Sequence, residues 1–428
     1  MSMVKLERSL SLWEVTLMSV GIILGAGIYV LIGKAAGLAG DAVWLSFIIA
    51  AIVASFTGLS YAELSSRFPD AGAEYVYVQR SFGRRPAWLI GWLIIAGSVI
   101  GGATVAIGFA NYFAGLFGTA VIPVAFGALL VCGVIVFAGI QETAFFTIAI
   151  TLIETAGLVI IMAIGLPKFG EPADYVQMAH GIEGILKAGV LIFFSYLGFE
   201  SIARLAEETE EPRKNIPKAI VLSIAITTII YILVGIAAVS VLPAEELAAS
   251  GSPLADIAET WLGQESFWLL SLIALFSTFN TVLVMLLSAS RMVYGIADER
   301  ALPDVFCRVS SKTRTPWAAT LAVTAGAMLF LALGDVEMVA NLTNFTVFAV
   351  FIAVNAALIY FRYNRPAREG FRVPGSIGRM PIIPVLGILA SIFMITNLSL
   401  EVLLLGAGLV VAGLIIQVVM RQFEKKRF

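Results

Sequence analysis

Charge is scarce in this chain: Asp, Glu, Lys and Arg make up 13% of its 428 residues, against about 25% in an ordinary soluble domain. That shortage, with 60% hydrophobic residues and a mean hydropathy of +0.97, excludes a water-soluble globular enzyme. Histidine is nearly absent. His180 alone leaves no HExxH motif and no His cluster for zinc. It also removes Ser-His-Asp and Cys-His triads except through His180 itself, which sits in a polar connection. Two cysteines, Cys132 and Cys307, make no disulfide framework. A net charge of −2 supplies no basic field for nucleic acid. Nothing in the sequence calls for a cofactor or a metal.

What is present is long apolar runs. They lie near 12–36, 42–65, 87–116, 123–139, 143–166, 184–203, 217–241, 267–290, 316–334, 338–361, 381–398 and 400–420. Crossing a bilayer takes roughly 20 apolar residues, so the expectation is an all-α membrane protein with twelve transmembrane helices. A β-barrel is disfavoured because the runs are continuous rather than alternating. Met1–Ser11 is short and polar and is expected to be no cleavable signal. No linker separates a soluble domain, so residues 1–428 are expected to form one membrane domain.

Basic residues set the orientation. With the N-terminus inside and the runs alternating, the inner connections collect nearly all of the 27 Lys and Arg. Lys34, Lys168 and Lys187 fall outside or near the outer face. The connection 242–266 is acidic and has no Lys or Arg, as an outer loop should. Both termini are therefore expected to be cytoplasmic, in a multi-pass protein of the cell membrane.

Glycines mark where function lies. The first run contains Gly21-Ile22-Ile23-Leu24-Gly25-Ala26-Gly27-Ile28-Tyr29, and the sixth contains Phe193-Phe194-Ser195-Tyr196-Leu197-Gly198-Phe199-Glu200. Each glycine weakens a helix by about 1 kcal/mol relative to Ala, although small residues also serve close helix packing. Broken helices at membrane depth are tolerated where they line a cavity. Runs one and six hold corresponding places in two five-helix halves, which points to an inverted-repeat transporter with its substrate between the breaks. Free N–H groups suit a carboxylate and free carbonyls suit an ammonium. A site offering both suits an amino acid. The backbone is expected to be non-helical around Ala26–Gly27 and around Ser195–Gly198.

Several segments carry a family resemblance. They are Leu10–Glu14 with Gly25–Tyr29, Ala71–Tyr77, Phe194–Glu200, Glu208–Ile220 and Ser290–Pro303. In this order they resemble the amino acid–polyamine–organocation superfamily of permeases. The resemblance implies a LeuT-type fold: inverted repeats over 12–166 and 184–361, and two additional helices over 381–420. It implies that backbone N–H groups at Ala26 and Gly27 meet the substrate carboxylate. Carbonyls of Ile23, Phe194 and Leu197 would meet the amino group, and Phe194 would be an aromatic lid. Many relatives have Ser where this chain has Ala26, so one side-chain hydroxyl is missing. A disulfide-linked accessory chain is not expected, because Leu116–Pro123 has no Cys.

Ionisable residues inside spans cost roughly 2.5–3.5 kcal/mol each. Glu14, Glu63 and Arg291 lie near cytoplasmic ends, within expected reach of water. His180 reads as a solvated loop residue, Cys132 as packing and Cys307 as a reduced thiol. Glu200 is either a gate acid or a cap for the second half-helix. Glu154 is different: it lies roughly 16 Å from either end of its run, too deep to snorkel, and must face a polar cavity or be protonated. In the permeases that the chain resembles, a Lys is often found near this depth. The implied partners of Glu154 are carbonyls near Gly21 and the helix face of Ser277, Asn280 and Thr281. Glu154 would either carry a proton or complete an oxygen cage for sodium. The proton is favoured, because a lone buried acid is neutralised more readily by H⁺ than by a full ion shell.

The function expected is a proton-coupled symporter for neutral or apolar amino acids. A sodium-coupled symporter or an exchanger is the alternative. A non-transporting amino acid sensor would be expected to carry a longer cytoplasmic segment than Met1–Ser11 or Arg421–Phe428. The small residues Gly101, Gly102, Ala103 and Thr104 either leave room for a substrate side chain or pack helices together.

Overall fold

Ser11 starts the first helix. Its main-chain N–H donates to Glu14 Oε2 at 2.8 Å while its hydroxyl accepts the Glu14 N–H, a reciprocal cap that satisfies otherwise orphaned donors. The computed structural model describes residues 10–68, 73–139, 144–170, 174–298, 302–365 and 370–426. Residues 71 and 72 of the Ala71–Tyr77 motif, residues 299–301 of the Ser290–Pro303 motif, and Lys5, Arg8, Arg368 and Arg427 lie outside them.

Helix covers the apolar runs. The first half of the chain holds α1 (Leu12–Ala39), α2 (Val43–Arg67), α3 (Ala73–Phe82), α4 (Arg84–Phe117), α5 (Val121–Ala138) and α6 (Ala144–Gly165). It continues with α7 (Gly181–Ile192), α8 (Pro212–Val241), α9 (Ala244–Ala249), α10 (Pro253–Leu262) and α11 (Gln264–Asp298). Then come α12 (Trp317–Phe330), α13 (Val336–Asn364), α14 (Ile382–Thr396) and α15 (Leu400–Lys426). Ser376–Ile377 and Met380–Pro381 pair as a short antiparallel hairpin ahead of α14. Among the described residues, nine helical segments are long and apolar enough to cross a membrane. The first of these, Leu12–Arg67, comprises α1 and α2, and two shorter apolar helices cover Trp317–Leu333 and Ile382–Thr396. The chain is a multi-pass, all-helical membrane protein.

Two groups of helices make the interior. α2 lies along α8, and α1 along α7 and α8; α4 lies along α11 and α13, with α5 and α12 behind. α6 touches α1 and α8 from one group and α11 from the other. The short helices α9 and α10 lie against α1 and α11. There Lys34 Nζ donates to the Ala248 carbonyl at 2.9 Å.

Glu63 departs from expectation. It is fully buried rather than in reach of water, and its carboxylate is clamped by Arg67 and Arg362. The Val373 N–H donates to Glu63 Oε2 at 2.9 Å. The end of α13 and the connection after it close over the acid, a long-range contact that no local pattern announces. Glu14 and Arg291 are exposed, as is His180, whose Nδ1 lies 3.2 Å from the Leu38 carbonyl oxygen.

Candidate functional site

Both glycine-marked runs are interrupted. α1 leaves helical geometry at Gly25 (φ −17°, ψ −156°), one residue ahead of the expected Ala26–Gly27. The displacement has a visible cause: the Ala26 N–H, freed by the break, donates to Thr281 Oγ1 of α11 at 3.3 Å, and the helix resumes from there. After α7 the chain runs through a 3-10 turn at Phe193–Tyr196, an extended Leu197 (φ −60°, ψ 139°) and Gly198 at φ 123°. That last conformation is essentially reserved for glycine. A second 3-10 stretch, Phe199–Glu207, follows.

Tyr231 of α8 joins the two breaks. Its buried hydroxyl lies 2.6 Å from the Ile23 carbonyl and 2.8 Å from the Ser195 carbonyl. Ile23 is one of the carbonyls assigned to the substrate amino group; Tyr231 meets one lone pair of its oxygen and leaves the other for a ligand. The Phe194 carbonyl receives the Leu197 N–H at 3.2 Å. Glu200 takes the Gly198 N–H on Oε2 at 2.9 Å. It thus caps the second break while lining the cavity beside it.

That cavity has a volume of about 260 Å³ and is walled by both breaks and by α4, α6, α11 and α13. Ile23, Ala26, Gly27, Phe194 and Leu197 all line it, as do Gly21, Glu154, Asn280 and Thr281. Ser277 does not, but it is fully buried and its hydroxyl lies beside the Glu154 carboxyl. Glu154 itself is only 2% exposed. Gly21 admits Thr151, one turn from Glu154, where a Cβ would overlap its side chain. The structure therefore brings the expected substrate and coupling residues around one space.

Other groups were not legible beforehand. Glu74 of α3 is buried, accepts from the Tyr61 hydroxyl at 3.2 Å and lines the cavity; an acid on an otherwise packed face was the signal. On α4 the lining is Leu93, Ile94, Gly97 and Ser98 rather than Gly101–Thr104. Gly101 and Gly102 face α11 instead: a Cβ at Gly101 would lie 3.1 Å from Met285 Sδ. The charged residues among the described lining are Glu74, Glu154 and Glu200, with no Lys, Arg or His. Cys132 is buried between α5 and α11. Outside the spans, burial together with Asp298 and Asp304 pushes the Cys307 thiol above its ordinary value. It therefore stays protonated and weakly nucleophilic at neutral pH.

A family model described as amino acid permease matches residues 10–419. The chain belongs to this family. It is similar to the branched-chain amino acid permease BcaP of Bacillus subtilis, 28% identical over 92% of this chain and 89% of that protein. It is also similar to the methylthioribose transporter of the same organism, 30% identical over 89% and 86% of the two chains. The mitochondrial cationic amino acid transporter 3 of Arabidopsis thaliana is 28% identical over 85% of this chain, which spans 64% of that longer protein. Membership of the amino acid permeases places the chain in the amino acid–polyamine–organocation superfamily. It makes the protein a transporter by family, with an amino acid as the implied substrate.

Proposed function

We propose that the protein is a secondary active transporter that carries a neutral, apolar amino acid together with a proton across the cell membrane. The observation that carries this reading is the meeting of two backbone breaks and one deeply buried acid, Glu154, at a single cavity. In this reading the twelve apolar runs are twelve spans of a LeuT-type fold. The repeats cover 12–166 and 184–361, 381–420 supplies two additional helices, and both termini are cytoplasmic. The substrate carboxylate sits at the N–H groups of Ala26 and Gly27, where the far half of α1 begins and its dipole is positive. To receive it, Ala26 gives up its contact with Thr281. The ammonium takes the carbonyls of Ile23, Phe194 and Leu197, with Tyr231 holding Ile23 and Ser195 in place. Phe194, 3% exposed, closes over the bound molecule.

Glu154 binds the proton. Nothing cationic faces it among the described residues, so ionising it there is unfavourable unless a proton or a cation arrives. Ser277, Asn280, Thr281 and the Gly21 backbone are its polar surroundings. Sodium held by the same oxygens, or exchange of one amino acid for another, is the alternative coupling.

A second reading concerns the cargo. Among the described residues three acids line the cavity and no base does, which favours a cationic amino acid. Against it, Glu200 is engaged by the Gly198 N–H and Glu74 by Tyr61, while Ile94, Met285 and Val347 keep the wall apolar. Purified protein in liposomes, given each labelled amino acid under separate proton and sodium gradients, decides between these. Leucine-like substrates concentrated by the proton gradient are the expected result. Lysine or arginine uptake would select the second reading, and no uptake of any amino acid would overturn both.

A further inference from the structure

The cavity stops abruptly on one side. Its α1 lining ends at Gly27, its α4 lining at Ser98, and its α11 lining begins only at Asn280. Past those levels the helices run on through packed protein. Just beyond Gly27 stands Tyr29, fully buried. Its hydroxyl donates to the main-chain carbonyl of Glu154 at 2.7 Å. Tyr112 of α4 in turn donates to the carbonyl of Tyr29 at 2.9 Å. Gly157, almost one turn along α6 from Glu154, makes room for the ring: a Cβ there would lie 2.5 Å from Tyr29 Oη and 3.0 Å from Ile273 Cγ2.

A buried tyrosine hydroxyl takes some acceptor in any case, and a helix carbonyl already has its own N–H. The choice of Glu154 as acceptor is what matters. The bond pins the far half of α1 to α6 at the very residue that carries the acid. The Tyr29 hydroxyl meets the Glu154 main chain, and Ser277 of α11 lies beside its carboxyl. No charged side chain faces it among the described residues.

We propose that Tyr29, its hydroxyl on the Glu154 carbonyl of α6 and its own carbonyl held by Tyr112 of α4, is the lock that closes the route from the sealed side of the protein to Glu154. When the far half of α1 moves away from α6 the lock breaks, and the acid becomes reachable from that side. Tyr29 is thus a positioning residue acting through Glu154, and its link to proton movement rests on the proposed coupling role of Glu154.

The test uses the full chain with Ser98→Cys as the sole thiol, in a Cys132→Ser, Cys307→Ser background. Membrane-impermeant maleimide is applied to either face of sealed vesicles. The slower face in the protein with native Tyr29 is the sealed side. Tyr29→Phe, which keeps the ring, and Gly157→Ala, which displaces it from α6, should each raise labelling from that side at least threefold. Tyr112→Phe should do so to a smaller extent. Unchanged labelling in any two of these variants that elute as folded protein overturns the lock. Proton leak into liposomes loaded with a pH dye, without substrate, is the second readout. Faster labelling with added leak supports the full proposal. Faster labelling without leak keeps the lock and instead overturns Glu154 as the proton site.

Discussion

Tyr231 makes a clear case of what one hydroxyl can do. It bridges carbonyls that stand 172 residues apart in sequence, Ile23 and Ser195, and so fixes the spacing of the two breaks. Tyr231→Phe keeps the ring stacked edge-on against Tyr196 and removes only the bridge. A net hydrogen bond is worth about 1 kcal/mol, so substrate affinity should fall roughly five- to tenfold, read by equilibrium binding of labelled substrate. Unaltered affinity would show that the breaks hold their spacing without it. Phe194→Ala acts differently, by removing cavity wall and water barrier; transport should slow across a substrate series, and unchanged uptake kinetics would count against a lid. The role of Tyr231 was not visible beforehand. A Tyr within an apolar run reads as packing until a distant carbonyl is found opposite it. Glu154 was visible, because an acid at mid-depth conflicts with its surroundings whatever lies nearby.

Helix breaks were legible as elements and blurred as positions. Clustered glycine marked both runs, yet the first break sits at Gly25 because Thr281 of α11 is there to receive the Ala26 N–H, a partner 255 residues away. The same blindness to partners left Gly101–Thr104 open between substrate room and helix packing, and at Gly101 and Gly102 the neighbour is α11. At the second break the conformation is decisive. Gly198 has φ 123°, and a Cβ would lie 2.6 Å from Ile22 Cγ2 and 3.0 Å from the Ile22 carbonyl. Gly198→Ala therefore carries backbone strain of order 1–3 kcal/mol as well as a clash with α1. Its melting temperature in detergent should drop and substrate binding should be lost at least tenfold. Full binding at native stability would mean that the break is not needed in this form.

At the scale of the molecule, long continuous apolar runs foretold a multi-pass helical protein, and nothing local foretold the seams that fasten its helices. Glu63 is the strongest of these, joining α2 to the end of α13 and to Val373. Glu63→Gln leaves two buried guanidinium groups against a neutral amide, a loss of about 3–5 kcal/mol. Thermal unfolding should move down accordingly, and adding Arg362→Met should restore part of it; an unmoved transition would show the pair to be dispensable. The proton reading of Glu154 spans the whole transport cycle, and one measurement reaches it directly. Protein in lightly buffered liposomes is given unlabelled leucine with no ion gradient, and the external pH is followed. The account predicts prompt alkalinisation of the medium with the wild-type protein. It predicts none with Glu154→Gln, although that variant still binds leucine. Leucine entry without proton movement in the wild type, or proton uptake that survives Glu154→Gln, would contradict it.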